Sequence, residues 1–152
     1  IFLPAGLLQG AFFNKNRPKY ANFATIGFAA GHEISHAFDT NGRTLDELGN
    51  LRNWWDAETE KEYERLSECF IEQYGNVTYP EFKLNLNGRS TLAENIADNG
   101  GIKVAYGAYK KWVIFNKEEK RLPCLSYSPK QLFWMMFAQP FCSKETPKGT
   151  EL

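Results

Sequence analysis

Apolar residues recur along most of this chain at helical spacing. The opening FLPAGLLQGAFF, residues 2–13, is the exception: its nearly continuous apolar run reads as a short extended segment, an edge strand. From about residue 22 to 38, Phe23, Ile26, Ala30, Ile34 and Ala37 follow three- and four-residue steps and predict a helix with a buried stripe. Asn22 is placed as its N-cap and Asn41-Gly42 as its stop. A turn-rich loop with Gly42 and Gly49-Asn50 follows. A second helix is predicted over about 56–74, with Tyr63, Leu66, Phe70 and Tyr74 inward, its charged residues on a solvated face, and Gly75 able to end it. A third begins near Thr91, with Ile96, Val104, Ala108 and Trp112 as core candidates. Gly100-Gly101 weakens it locally and suits close packing on the first helix. Ser128-Pro129 supplies the cap and first turn of a last helix ending near Ala138, before Pro140. Trp54-Trp55 and Phe133-Trp134 read as core, and the final TPKGTEL as a frayed end. The chain is therefore expected to be mainly α, with no internal repeat.

Composition narrows the function classes. The 152 residues suit one domain with a real core, and 43% hydrophobic with 15% aromatic content excludes a disordered chain despite a mean hydropathy of -0.48. Eighteen basic residues balance eighteen acidic ones, and no basic cluster exceeds pairs such as Lys110-Lys111. Nucleic acid is therefore not an expected partner. No apolar run approaches the ~18 residues needed to cross a bilayer, and there is no signal-peptide pattern at the start. Membrane contact within this segment is not expected.

The chemistry concentrates in His32-Glu33-Ile34-Ser35-His36. This is HExxH on a predicted helix, so both imidazoles share a face and can grip one zinc ion. They are the only two histidines of the chain. Glu33 lies beside them, where a carboxylate can take a proton from zinc-bound water. The bland alternative is a pair of satisfied core histidines. It requires a dense hydrogen-bond network around polar groups in an otherwise apolar helix.

Zinc takes a third protein ligand and keeps one position open. Glu94 and Asp98, four apart in TLAENIADN, point the same way on a helix. Glu94 could bind the metal while Asp98 accepts a hydrogen bond from the far nitrogen of a zinc histidine. Thr91 and Glu94 also have the spacing of a capping box, which needs no metal.

GHEISHAFD and LAENIADNGG together resemble the neprilysin and endothelin-converting-enzyme family of zinc metallopeptidases. So do FLPAGLLQGAFF, the segment from Gly42 to Trp55, QLFWMMFAQ and the FC pair ending at Cys142. The resemblance covers almost the whole chain. It implies a zincin fold of the thermolysin-like, gluzincin class, with residues 1–152 a partial catalytic domain of a larger chain. It makes His32, His36 and Glu94 the ligands of one Zn2+, Glu33 the catalytic base, and Asp98 the residue that orients a zinc histidine or donates a proton. The implied activity is endopeptidase cleavage of short peptides, in a protein that is secreted or anchored at the cell surface by a helix upstream of Ile1.

Departures from the family pattern qualify that expectation. The chain begins just after the place of the family's Asn-Ala motif and ends before its transition-state-stabilising His and substrate-anchoring Arg. Losing one such donor costs ~10²–10³ in rate, so this stretch alone is expected to hold zinc and hydrolyse poorly. A truncated zinc-binding module, or a helical domain with a structural HExxH, are the competing classes. Ala93 and Cys124 stand where the family usually has Gly, and Thr40 replaces a common Asp. By the same resemblance, Cys69 and Cys142 bond to cysteines outside this stretch. Asn76-Val77-Thr78 is an N-glycosylation sequon, in keeping with an extracellular site.

Overall fold

The computed structural model describes residues 1–79, 83–144 and 146. Its helices are α1 (Lys19–Asn22), α2 (Phe28–Ser35), α3 (Ala57–Gly75), α4 (Leu92–Asn116) and α5 (Pro129–Ala138). Strands β1 (Thr78–Tyr79) and β2 (Leu84–Asn85) form an antiparallel hairpin, pairing Thr78 with Asn85 and Tyr79 with Leu84. The chain divides into two compact units, one of Ile1–Ala30 with the residues from Ile102 onward, the other of Gly31–Gly101.

In the first unit the core is Tyr20, Ala21, Ala24, Phe28, Ala105, Tyr109, Leu132 and Phe133. Tyr109 and Phe133 are fully buried and stacked, with ring centroids 5.7 Å apart. Burying the Phe133 ring stabilises the unit by roughly 1.5–3 kcal/mol. Burial pushes the Tyr109 phenol up to about 12, with Glu119 and Glu118 adding to the shift. Helix α5 starts as its sequence predicts: Ser128 Oγ accepts from Gln131 N, and the Gln131 side chain accepts from Ser128 N. Helix α1 follows Pro18, which offers no capping side chain. Its first donors go instead to Glu119, whose carboxylate accepts from Lys19 N at 2.7 Å and Tyr20 N at 3.2 Å.

Asn22 is not a cap. It lies within a continuous helical run, is buried, and bonds Asn14 N and Arg17 Nε through its side-chain oxygen. Between α1 and α2 the helix widens into a π-helical turn, Phe23–Gly27. The cause is a carbonyl from outside: Phe12 O accepts from Ile26 N at 3.2 Å, and also from Thr25 Oγ1 and Arg17 Nη2. The expected N-terminal strand does not form. Residues 2–13 fold into turns, with a 3-10 helix at Ala5–Leu7, bonds from Leu7 N to Pro4 O and Leu8 N to Ala5 O, and a left-handed Gly10. Pro4 removes a ladder donor and the two glycines favour bends, which outweighs the apolar run.

In the second unit Asp56 caps α3 by accepting from Thr59 N. Arg43 lies against α3, bonded to Glu60 at 3.0 Å and 4.9 Å above the Tyr63 ring. Asn99 Nδ2 donates to Tyr74 Oη at 3.0 Å, tying the end of α3 to α4.

Several core expectations shift. Leu66 and Ile34 are half exposed, and Ala37, Trp54 and Trp134 also reach solvent. On α4 the buried row is Ala97, Gly101, Ala105 and Tyr109, one position beyond Val104 and Ala108, which are exposed. That row contains a glycine and two alanines, so hydrophobicity alone assigns the wrong phase. Among the described residues no helix is long and apolar enough to cross a membrane. Of TPKGTEL, all but Thr146 lies outside the described residues.

Cys124 sits in a tight turn after Pro123, with Leu125 N bonded to Leu122 O and φ at +61°. Proline followed by a left-handed residue is the pattern of a turn that favours glycine. Replacing Cys124 by Gly should therefore raise stability by about 1 kcal/mol, from relief of side-chain crowding. Thermal unfolding under reducing conditions measures it. An unchanged or lower midpoint contradicts this account of the turn.

Candidate metal centre

Helices α2 and α4 meet backbone to backbone within the second unit. A Cβ built on Gly31 would lie 2.8 Å from Gly101 O, and one on Gly101 would lie 2.6 Å from His32 N. On Gly100 it would stand 2.5 Å from Ser35 Oγ, itself held by Gly31 O. This contact brings residues 62 positions apart (Glu94 and His32) onto facing turns of two helices.

Three donors converge there. His32 Nε2 and His36 Nε2 are 2.8 Å apart, and Glu94 Oε2 lies 3.4 Å from the first and 3.7 Å from the second. Among the described residues this is one set of ligating atoms that lie mutually within 4.8 Å. His32 Nδ1 meets Asp98 Oδ1 at 2.7 Å, and His36 Nδ1 meets Asp39 Oδ2 at 2.5 Å. A carboxylate can only accept, so each Nδ1 carries hydrogen and, in a neutral ring, each Nε2 presents a lone pair. Two lone pairs and a carboxylate oxygen facing one another repel unless a cation lies among them. A shared proton would relieve the imidazole pair if one ring were charged, but it leaves the carboxylate without a role. A divalent metal uses all three, so the donor set fits one.

The sequence-predicted residues thus fall together: His32, His36, Glu94 and Asp98 share one cluster, and Glu33 is exposed on α2 between the histidines. Thr91 does not box with Glu94. Its hydroxyl accepts from Asn95 Nδ2 and donates to Asn87 O.

Asp39 is the residue that motif reasoning missed. It is 4% exposed, with Oδ1 accepting from Asn41 N and Gly42 N and Oδ2 bound to His36. Burial pushes its carboxyl up, but the bonds from Gly42, His36 and Asn41 outweigh that and hold it below the usual carboxylate range. The bond to Asp39 raises His36 above the ordinary imidazole value, opposed by burial and aided by the charges of Glu94, Asp39 and Glu33. A signal was present in the sequence: a carboxylate three residues past the second histidine, before the Asn41-Gly42 turn.

A family model described as Peptidase family M13 matches residues 1–151. The chain belongs to peptidase family M13. Among relatives, Neprilysin-2 of Drosophila melanogaster is 53% identical over 144 residues, covering 95% of this chain and 19% of that protein. Endothelin-converting enzyme 1 of Homo sapiens is 48% identical over 150 residues, covering 99% and 19%. The chain therefore spans about one fifth of the length of these relatives. The solved Mycobacterium tuberculosis zinc metalloprotease Zmp1, in complex with an inhibitor, superposes with a TM-score of 0.86 at 32% identity, covering 93% of this chain and 22% of its own. A chain of the Haemonchus galactose containing glycoprotein complex superposes with a TM-score of 0.87 at 34% identity, covering 96% and 23%. The mainly helical M13 architecture expected from the sequence is the one observed.

Two outcomes follow from this geometry. Gly101→Ala should destabilise the protein by about 1–3 kcal/mol from overpacking, more than the ~1 kcal/mol gained in helix propensity. Equal or higher stability in thermal unfolding would mean the helices can separate freely. Asp39→Ala should weaken metal binding about 10–100-fold in chelator competition, since His36 loses its orienting partner. Parental affinity would leave Asp39 with a purely local role in the turn.

Proposed function

We propose that this chain carries the zinc-binding and base-bearing part of an M13 metalloendopeptidase. One observation carries the reading: HExxH and Glu94 converge into a three-donor set while two carboxylates fix both imidazole tautomers. One solved relative, a zinc metalloprotease, supports zinc as the ion. His32, His36 and Glu94 would hold it. Zinc, when bound, supplies Lewis acidity that polarises the scissile carbonyl and makes water easier to deprotonate.

The chain's own residues do the rest. Glu33 accepts a proton from the attacking water and passes it to the leaving amine. It is exposed on α2, beside His32 and three residues before His36, so a peptide can approach it. Asp98 and Asp39 keep hydrogen on each Nδ1, which leaves each Nε2 to the metal. Residues 1–152 are read as a partial catalytic domain, acting on peptides, outside the cell or at its surface.

Glu33→Gln should retain zinc and fold normally yet lose two to four decades of peptide hydrolysis. Glu94→Ala should lose the metal. Zinc content by elemental analysis and cleavage of a fluorogenic peptide report both. Parental turnover in Glu33→Gln removes the base, and undiminished zinc in Glu94→Ala removes the third ligand.

A further inference from the structure

We propose that a pocket on α3 binds an arginine side chain presented by another polypeptide. Glu58, Thr59, Glu62, Tyr63 and Leu66 follow one another at three- and four-residue steps, so they form one stripe along the helix. Trp55, just before the cap residue Asp56, folds against that stripe, its ring 5.3 Å from Tyr63 and nearly perpendicular to it. These six residues line an open pocket of about 420 Å³ within the second unit. None of them is a proposed metal ligand or the proposed base, so the inference goes beyond the proposed function and does not depend on it.

The charges around the pocket leave one carboxylate uncompensated. Glu62 is paired with Arg65 at 2.6 Å, and Glu60 with Arg43 at 3.0 Å. Glu58 is exposed, and among the described residues its carboxylate has no hydrogen bond and no ion pair. An anion is therefore repelled. A purely apolar occupant would strip water from Glu58 without replacing it. A cation with an apolar stem meets neither difficulty.

The same two rings already hold a guanidinium from within the chain. Arg43 Cζ lies 4.9 Å from the centre of the Tyr63 ring and 5.9 Å from that of Trp55, with Glu60 of α3 as its carboxylate. A second guanidinium in the pocket would find the same elements: Trp55, Tyr63 and a carboxylate from α3, now Glu58. Arginine suits this setting better than lysine, because its planar, weakly hydrated head stacks on aromatic rings and pairs with a carboxylate at once. Leu66, which is 52% exposed, would gain cover from the methylene stem.

The test is a titration of 15N-labelled protein with N-acetyl-arginine amide, and separately with N-acetyl-citrulline amide, which keeps the shape and loses the charge. Shifts centred on residues 55–66 are expected, with arginine binding about tenfold tighter than citrulline. Glu58→Gln should weaken arginine binding about two- to fivefold, and added salt should do the same. Leu66→Lys, which sets a cation in the pocket wall, should abolish it. Both positions are exposed, and the spectrum away from α3 reports that each variant folds. Equal affinity for citrulline would mean an apolar pocket and overturn the assignment. So would parental affinity in Glu58→Gln, or shifts centred on His32 and His36 instead.

Discussion

The candidate site depends on how closely two helical backbones can approach. Gly31 on α2 and Gly101 on α4 leave no room for a Cβ on either side. Interior glycines cost a helix about 1 kcal/mol each relative to alanine, and α4 carries Gly100 and Gly101 side by side. The cost is offset by what the contact allows. One turn beyond it, Asp98 on α4 reaches the imidazole of His32 on α2 at 2.7 Å. Larger residues at the crossing would push the two helices apart, and Glu94 and Asp98 would fall short of the rings.

The same contact sets up an electrostatic imbalance. Two carboxylates fix hydrogen on the outer nitrogens, and the inner nitrogens face each other and a third carboxylate. Such an arrangement opposes folding on its own, because like partial charges are held together by groups that are satisfied elsewhere. A cation bound as proposed would remove the repulsion and let the preset tautomers act as ligands. Under the proposed function, metal affinity and folding would be coupled through this cluster. Asp39 belongs to both, since one oxygen orients His36 and the other closes the Asn41-Gly42 turn.

Much of this was legible in the residues. HExxH, the i, i+4 pair Glu94 and Asp98, the Ser128-Pro129 start of α5 and the role of Gly100-Gly101 all depend on local spacing, which a sequence displays directly. Long-range partners were not legible. The Phe12 carbonyl that opens the π-helical turn and the Arg17 side chain that joins it reach across the loop before α1. Arg17, together with Asn14, also turned Asn22 from an apparent cap into a buried hydrogen-bonding residue. The misphased face of α4 has a different origin. Gly101 and Ala105 define the packed row, yet small residues carry almost no hydrophobic signal, so Val104 drew the assignment to the wrong side. The apolar opening segment failed as a strand because nothing in its own residues specifies a pairing partner.

The carboxylate that closes the start of α1 comes from Glu119, one hundred residues later. During synthesis from the N-terminus, Lys19 and Tyr20 emerge long before their acceptor exists. The first helix therefore cannot reach its final hydrogen-bonded state until α4 and the turn beyond it have left the ribosome. A pairing of such long sequence separation closes late and leaves Tyr20 and Phe28 exposed until the rest of their core is made. The order of translation thus leaves α1 waiting on residues made long after it.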